Sequence, residues 1–383
     1  MKPLAAAKSQ AMQWYLRQRS WKTDRKLLVI ESDDWGAIRI PPGVDTEKLR
    51  KAGIALGESP YDRLDCLENR EDLELLFEIL DKAVGAGRSS PVMTFNTVMG
   101  NPDFDAIEKS GFEQFFHEHF HDSYNTYHSQ DLRGIWRQAV EASLIVPQFH
   151  GREHLNSQLW MRDLKAGIAA TRDAFKHRIF ALSLQTSSPH QQHYSAACSV
   201  ESNQELETFT GILDDGLSMF ESTFGASSRT FVACNYVLPR EVEAHLANRG
   251  VSGIQTQRGY VQPQPKKSGK RRRVYRYTGQ RNRHGQLYTV RNVLFEPYLD
   301  ADRDWTASSI REIDAAFQSG LPAIVCTHRI NYVGSHSTRH RDRSLRLLER
   351  LLESIMSKWP DIEFCSSDQL CSIIDADRPP VSH

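Results

Sequence analysis

The chain alternates between short apolar runs and longer amphipathic segments, and this alternation constrains its fold more than any other feature. Eight apolar runs rich in β-branched residues are predicted to be strands: residues 26–32, 91–97, 144–150, 178–184, 229–235, 251–257, 322–328 and 361–367. Between them, apolar residues recur at a helical spacing, most clearly over residues 71–84, 157–175, 205–223 and 343–359. Strands that alternate with helices predict parallel strands joined by helical crossovers.

A chain of 383 residues is long enough for one large α/β domain with insertions. We expect a βα barrel rather than an open dinucleotide-binding sheet, because no G-x-G-x-x-G motif follows the first predicted strand. The barrel is predicted to occupy residues 22–375. Residues 41–141 would contain a barrel strand and a lid-like helical insertion between the first and third strands, and residues 261–285 would form a basic loop or hairpin.

The composition excludes several classes of protein. Lys plus Arg and Asp plus Glu both number 48, so the chain lacks the basic excess of a nucleic-acid coat protein. The six cysteines form no C-x-x-C pair, which favours reduced thiols over a disulfide framework. The sequence starts without the apolar core of a signal peptide and contains no stretch long enough for a membrane span. We therefore expect a cytoplasmic protein without a nucleic-acid partner or stable membrane insertion, and the oligomeric state stays open.

Polar residues stand where several of the predicted strands end. Asp33 and Asp34 follow the first strand, His150 ends the third, Asn235 ends the fifth and His328 ends the seventh. The carboxyl ends of the strands share one face of a βα barrel, and active sites are built on that face. We therefore expect these side chains to meet.

The segment H-G-R-E-H, residues 150–154, is the strongest local indication of a metal site. Two histidines four positions apart face the same way on a helical turn and can bind one ion. A carboxylate as third ligand would complete a catalytic type of zinc site with an open position for water. The alternative is a helix start in which one histidine caps the helix and the other packs. The acidic pair at Asp33 and Asp34 and the later His328 favour the metal site.

Five short motifs occur in the chain in a fixed order: E-S-D-D-W-G (31–36), H-G-R-E-H (150–154), A-C-N-Y (233–236), R-D-W (303–305) and C-T-H (326–328). In kind and order they resemble the motifs of the polysaccharide deacetylase family, also called the NodB-homology family or carbohydrate esterase family four. The resemblance covers roughly residues 26–330. It implies a distorted (β/α)7 barrel, in agreement with the alternation of strands and helices.

The resemblance implies that Asp34, His150 and His154 hold a divalent metal. Zinc suits two histidines and one carboxylate best, although cobalt, nickel and iron also fit. By the same resemblance Asp33 is the general base and His328 the general acid. The implied function is metal-dependent removal of acetyl groups from an acetylated sugar or polysaccharide.

The resemblance also implies supporting roles beside these groups. The backbone amide of Tyr236, next to Asn235, would help to hold the oxyanion of the reaction. Asp304 and Trp305 match a supporting motif near the general acid. The expected partner is an acetylated sugar or glycan, and the expected cytoplasmic location favours a carrier-linked form of it.

The chain departs from the family pattern at several positions. Ala233 stands where the family has the arginine that orients the general base, and Arg152 and Arg329 are the candidates to replace it. Trp35 is inserted before the glycine of the first motif. Two alternative functions therefore stay open: a glycosidase or other amidase on a related barrel, and a carbohydrate-binding protein without catalysis.

Three further segments invite a functional interpretation. Residues 117–128 contain four histidines with helical spacing, which predicts a lid helix more strongly than a second metal cluster. The basic run at 266–273 predicts a solvated loop, or alternatively a site for an anionic group. Residues 188–198, with two more histidines, form either a substrate loop or a polar surface loop.

Overall fold

The computed structural model describes residues 3–54, 56–57, 59–83, 90–180, 194–265 and 270–377. Its strands, numbered in chain order, are β1 (Leu27–Trp35), β2 (Met93–Val98), β3 (Gly100–Pro102), β4 (His117–His119), β5 (Ile145–Gly151), β6 (Thr230–Val232), β7 (Gly253–Thr256), β8 (Gly259–Gln264), β9 (Lys270–Tyr275), β10 (Leu287–Val290), β11 (Val293–Leu294), β12 (Ala323–His328) and β13 (Glu363–Phe364).

The helices are numbered in the same way. They are α1 (Pro3–Arg19), α2 (Thr46–Lys51), α3 (Tyr61–Leu64), α4 (Arg70–Lys82), α5 (Phe104–Lys109), α6 (Phe120–His128), α7 (Arg133–Glu141), α8 (Ser157–Lys165), α9 (Ala169–Phe175), α10 (Asn203–Phe224), α11 (Arg240–Asn248), α12 (Trp305–Gln318), α13 (Thr338–Lys358) and α14 (Ser367–Ala376). None of these described helices combines the length and the apolar character needed to cross a membrane.

The main sheet is parallel and curled into a half-barrel. Its strands follow the order β10–β7–β6–β5–β2–β1–β12–β11, and β13 pairs with the start of β1. Every pairing along this path is parallel. Within the described residues, the edge strands β10 and β11 do not pair with each other, and we call the gap between them the seam. The predicted α/β barrel fold is confirmed, as an eight-strand curl that stays open rather than a ring of seven.

Most of the predicted strands lie where the structure has them, with two differences. Arg178, Ile179 and Phe180, which begin the predicted strand 178–184, are not in a strand, and residues 181–184 lie outside the described residues. In contrast, β10 and β11 were not predicted, because they are short and follow a long polar segment. They flank Arg291, which proves central to the site described below.

The inside of the curl is apolar at one end and polar at the other. Successive residues of a strand face opposite sides of the sheet. Leu27 and Val29 therefore pack inside the curl, where they meet Leu287 of β10 and Ile324 of β12. Glu31 and Asp33 continue the same face of β1 towards the carboxyl ends of the strands. The apolar cluster includes side chains of α14, so this helix closes the amino-terminal end of the barrel.

The segment between β2 and β5, which lies largely within the range 41–141, contains an antiparallel strand pair and three helices. Strand β4 pairs antiparallel with β3, and α5, α6 and α7 complete the segment. The helix predicted for residues 117–128 is thus partly wrong, because His117–His119 form a strand before α6 begins. The helix predicted for residues 157–175 is split into α8 and α9 at Gly167, whose φ is 72°.

The basic segment after β7 contains an antiparallel pair. Strand β8 pairs with β9 along its whole length, and Val261 of β8 also bridges to Val237. The side chains of Lys270, Arg271, Arg272 and Arg273 are exposed on β9. Residues 266–269, which hold half of the basic run, lie outside the described residues.

Candidate metal centre

The end of β1 is irregular, and this irregularity brings two carboxylates to one place. Pairing with β2 is regular up to Ser32 and resumes only at Trp35, so it skips Asp33 and Asp34. Asp34 has a φ of 77°, a left-handed backbone that few residues other than Gly, Asn and Asp adopt. A bulge of this kind re-aims side chains. Both carboxylates therefore lie among the histidines of the carboxyl-terminal face.

Asp34, His150 and His154 form a compact group of possible metal ligands. The Nε2 atoms of both histidines lie 3.3 Å from Oδ1 of Asp34. The ring centroids of the two histidines are 5.2 Å apart. One carboxylate oxygen and two imidazole nitrogens that converge in this way are the donor set of a three-ligand zinc site.

The protonation of these groups also suits a metal. Nδ1 of His150 donates to the carbonyl oxygen of Val232 at 2.8 Å, which leaves Nε2 as the ring nitrogen that faces Asp34 and a possible ion. Burial lowers the pKa of His154 to about 4, so the ring of His154 is neutral at pH 7. Burial alone would raise the pKa of Asp34, but His154 and His150 hold it well below its usual value. The residues present therefore fit a divalent cation.

The two histidines meet for a different reason than predicted. His150 lies at the end of β5, and His154 lies in the loop before α8, so residues 150–154 do not form a helical turn. Gly151 has a φ of 132°, and a Cβ there would lie 3.2 Å from the carbonyl oxygen of Glu153. The predicted helical turn was wrong, and a turn that requires glycine brings the rings together instead.

The arginine that orients the predicted base is Arg291. Its Nη1 donates to Oδ2 of Asp33 and its Nη2 to Oδ1, both at 2.7 Å, while its Nε donates to Oε2 of Glu31 at 2.6 Å. The backbone of Arg291 lies in the seam between β10 and β11. A guanidinium that spans both oxygens of a carboxylate fixes its position and charge together.

Neither candidate named from the sequence takes that place. Arg152 binds Glu153 through two nitrogens and Asp215 through a third, so it points towards α10 and not towards Asp33. Arg329 is completely buried and binds Asp65 and Glu68, each at 3.0 Å. The supporting role expected of Arg152 at the base is therefore wrong for this geometry. No local pattern in the sequence marks Arg291, because the strands on either side of it are short.

Asp33 is held as an ion. Besides the two bonds from Arg291, its Oδ1 accepts a hydrogen bond from Nδ2 of Asn96 at 2.7 Å. Burial would raise the pKa of Asp33, but Arg291 and two nearby histidines, His328 and His150, lower it to about 2. The carboxylate is only 3% exposed, so these partners compensate its burial.

His328 is paired with a carboxylate that the sequence did not indicate. Its Nδ1 contacts Oε1 of Glu296, and Oε2 of Glu296 accepts a hydrogen bond from Asn331 at 2.8 Å. Burial would lower the pKa of His328, but Glu296 raises it well above its usual value. His328 therefore carries a proton, and its Nε2 lies 3.6 Å from Oδ2 of Asp33.

The predicted supporting motif lies elsewhere. Asp304 caps α12 by accepting a hydrogen bond from the amide of Ala307 at 2.9 Å. Trp305 is buried, and its Nε1 donates to the carbonyl oxygen of Asp300. The carboxylate that contacts Nδ1 of His328 belongs to Glu296 and not to Asp304.

Tyr236 lies at the site, but its backbone amide is engaged. The amide donates to the carbonyl oxygen of Ala233 at 2.9 Å, in a tight turn where Asn235 and Tyr236 both have positive φ. The predicted oxyanion role of this amide is therefore not supported by the geometry. Instead, the side-chain hydroxyl accepts a hydrogen bond from Nη1 of Arg291 at 2.7 Å. Asn235 donates to Oγ of Ser195 at 3.1 Å.

Aromatic side chains lie beside His328. The ring of Tyr61 meets His328 edge-on with centroids 5.9 Å apart, and it meets Tyr298 in the same way at 5.0 Å. The guanidinium of Arg39 lies 4.9 Å from the centroid of the Tyr61 ring. These side chains give the face around His328 the mixed aromatic and polar surface that suits a sugar-sized ligand.

The other histidines do not form a second metal cluster in the part of the chain that the structure describes. His117 lies 3.5 Å from Asp215, His119 contacts the hydroxyl of Thr223, and His128 contacts the carbonyl oxygen of Leu67. The loop with His190 and His193 lies outside the described residues up to position 193. Cys234 stands close to His150 and His154, but its Sγ donates to the carbonyl oxygen of His150.

Sequence comparison finds neither a known protein family nor a curated protein that matches this chain. Solved structures do match in three dimensions. A probable polysaccharide deacetylase from Pseudomonas aeruginosa PAO1 is 8% identical with a TM-score of 0.47, over 93% of each chain. Puue allantoinase is 10% identical with a TM-score of 0.46, over 94% of this chain and 93% of that chain.

A 4-alpha-glucanotransferase from Thermococcus litoralis is 9% identical with a TM-score of 0.44. The match covers 91% of this chain but only 40% of that one, so this chain spans less than half of its length. Similarities of this size assign no activity. We therefore infer the function from the side chains of the site.

Proposed function

We propose that this protein is a metal-dependent hydrolase that removes an acetyl group from an acetylated sugar or glycan. One observation carries the proposal: Asp34, His150 and His154 converge as ligands, next to an ionised Asp33 and a protonated His328. A base and an acid of opposite protonation beside one metal site are the groups that acyl hydrolysis needs. We propose zinc as the metal, because two histidines and one carboxylate are its usual ligands.

The ligands Asp34, His150 and His154 would hold the metal. When bound, a divalent ion there would polarise the acetyl carbonyl and lower the pKa of a water molecule. The chain itself supplies the proton transfers. Asp33 accepts a proton from the attacking water, and Arg291 keeps this carboxylate in place. His328 donates a proton to the leaving nitrogen or oxygen of the sugar, and Glu296 stabilises the charged imidazole before that step.

One of the two alternatives loses support from the contacts of Arg291, whereas a glycosidase or other amidase on a related barrel stays open. A protein without catalysis was considered because the base-orienting arginine was missing from its expected position, and Arg291 supplies that guanidinium from the seam. We also propose that the substrate is carrier-linked.

The first experiment is the metal content of the purified protein by elemental analysis. Wild type is compared with a His150→Ala/His154→Ala variant. The matched control is His117→Ala/His119→Ala, which also removes two histidines, both of them half-buried. We expect about one equivalent of zinc in wild type and control, and almost none in the first variant. A wild type that holds no metal and takes up none when offered zinc would overturn the proposal.

The second step is an acetate-release screen on N-acetylated and O-acetylated sugars. A His328→Ala variant should keep its zinc but lose about 10²–10⁴-fold in turnover, the usual contribution of a general acid. Unchanged turnover in this variant would exclude His328 as the acid. Tight sugar binding without acetate release by the zinc-loaded wild type would favour a binding protein.

A further inference from the structure

A small cavity lies over the seam of the barrel, and the ligands of the metal centre do not line it. It is bounded by α1 through Leu16, by α12 through Ala315, and by the chain around the seam through Val290 and Asn292. Its volume is about 150 Å³. The function proposed above makes no use of this cavity.

The lining of the cavity is dominated by positive charge. Arg17, Arg258, Arg276 and Arg291 face a single carboxylate, that of Glu312. Glu312 is engaged elsewhere, because it accepts the amide hydrogen of Leu294 at 2.7 Å and lies 3.3 Å from Arg303. The four guanidinium groups are therefore not neutralised from within the cavity.

Two of the four arginines are committed to other partners. Arg291 binds Glu31 and Asp33, and the guanidinium of Arg276 lies over the rings of Tyr260 and Tyr288 at 5.4 and 4.5 Å. The other two, Arg17 and Arg258, are exposed residues at the edge of the cavity, and the described part of the chain provides no carboxylate partner for either. Partial burial lowers the pKa of Arg258, and the nearby positive charge of Arg17 lowers it further.

The cavity also offers a neutral hydrogen-bond donor. The hydroxyl oxygen of Thr278 accepts the amide hydrogen of Val290 at 3.0 Å. Its own hydrogen has no acceptor among the described residues, so it is available to a ligand. Two unneutralised guanidinium groups and one hydroxyl donor together form a setting for an oxyanion.

We propose that this cavity binds a phosphate group, either as free inorganic phosphate or as the phosphoryl end of a larger molecule. A dianion between Arg17 and Arg258 replaces their repulsion with two attractions, and it can accept the hydroxyl hydrogen of Thr278. A volume of about 150 Å³ is sufficient for the five heavy atoms of a phosphate group.

The test measures binding of inorganic phosphate by calorimetry and by thermal unfolding, with chloride used to keep the ionic strength constant. The variant is Arg258→Gln, and the matched control is Arg350→Gln, which removes an exposed arginine from α13. We expect phosphate to raise the Tm of wild type and control, because a ligand that binds only the folded state stabilises it. In Arg258→Gln the affinity should fall by about tenfold or more.

A second readout separates a ligand site from a structural role. Without phosphate, Arg258→Gln should have a Tm equal to or above that of wild type, because one of two crowded like charges is gone. A lower Tm together with unchanged phosphate affinity would show that Arg258 is structural and would overturn the proposal. So would a wild type whose Tm does not respond to phosphate beyond the chloride control.

Glucose 6-phosphate, titrated in parallel, distinguishes the two sources of the anion. Affinity similar to that of inorganic phosphate supports the phosphoryl end of a larger molecule, and binding of inorganic phosphate alone supports the free ion. Phosphate that binds at the metal centre would bind equally to wild type and Arg258→Gln. The difference between the two proteins therefore reports only the seam cavity, whether or not the proposed hydrolase function holds.

Discussion

Two buried arginines near the Asp33–Asp34 pair have the same kind of surroundings, but the carboxylates beside them have pKa values shifted in opposite directions. Arg291 lies between Glu31 and Asp33, and Arg329 lies between Asp65 and Glu68. Each cluster therefore joins one guanidinium to two carboxylates. Yet the pKa of Asp33 is lowered to about 2, whereas that of Asp65 is raised to about 6.

The geometry of pairing explains this difference. Arg291 binds both oxygens of Asp33, and Asn96 adds a third hydrogen bond. Arg329 reaches only Oδ1 of Asp65, through two nitrogens at 3.0 and 3.3 Å. At Asp65 the rise in pKa caused by burial therefore outweighs the lowering by Arg329, and the negative charge of Asp34 raises the pKa further. Composition alone does not decide whether a buried carboxylate is ionised.

The two clusters also differ in what they hold. Arg329 donates to the carbonyl oxygen of Ala37, and its partner Glu68 accepts from the amide of Gly36 at 2.9 Å. This cluster holds in place the chain directly after Asp34, the proposed metal ligand. Arg291 instead holds a side chain that we propose to react. The comparison therefore separates a cluster that maintains the fold from one that maintains a reacting group.

The largest effect is expected at Arg329. Arg329→Met would leave Asp65 and Glu68 buried without a cation, so the free energy of unfolding should fall by about 3–5 kcal/mol. Urea denaturation measures this, with Arg25→Met as the control. Arg25 pairs with Glu363 on the surface, and its loss should cost less than about 1 kcal/mol. Equal losses in both variants would contradict the structural role of Arg329.

A smaller and different effect is expected at Arg291. Arg291→Lys keeps the positive charge but cannot span both oxygens of Asp33. Turnover on the substrate found by the acetate-release screen should fall about 10²-fold, while the zinc content stays at one equivalent. Arg329→Lys should show the reverse pattern, with reduced stability and turnover close to that of wild type. Wild-type turnover in Arg291→Lys would mean that Asp33 needs no orientation by this residue.

The smallest effect is expected at Asp65. Because its pKa in the folded state is raised to about 6, the folded protein binds this proton more tightly than the unfolded chain between about pH 4 and pH 6. The contribution of Asp65 to stability therefore decreases as the pH rises through this window. Unfolding free energies of wild type minus those of Asp65→Asn should fall by about 2 kcal/mol from pH 4 to pH 7. A difference that does not change with pH would show that Arg329 fully offsets the effect of burial on the pKa of Asp65.

Local patterns in the sequence were sufficient for the barrel and for part of the site. The apolar runs that became β1, β5 and β12 are long, and polar residues stand directly at their ends. Because parallel strands end on a common face, Asp34, His150, His154 and His328 could be placed near one another before the structure was known. Their roles as ligands and acid remain proposals.

The partners of these residues could not be found in the same way. Arg291 and Asp33 are 258 positions apart, and Arg291 reaches the base across a seam formed by strands too short to predict. Glu296 follows β11 with no motif that marks it as a partner of His328. The helical turn expected at His150 was wrong because the spacing of two histidines does not reveal how the backbone between them bends. Long-range pairing and turn geometry are properties of the folded chain, and local spacing does not encode them.

The left-handed backbone at Asp34 restricts which residues this position can accept. The backbone conformation favours Gly, Asn and Asp there, and the proposed metal coordination favours Asp among these three. Alanine would remove the ligand and also add about 1 kcal/mol or more of backbone strain, so its effect would combine two causes. Asn keeps the shape and tolerates the conformation, and Asp34→Asn therefore isolates the charge. Natural variation at this position should be narrow for two independent reasons, one of folding and one of chemistry.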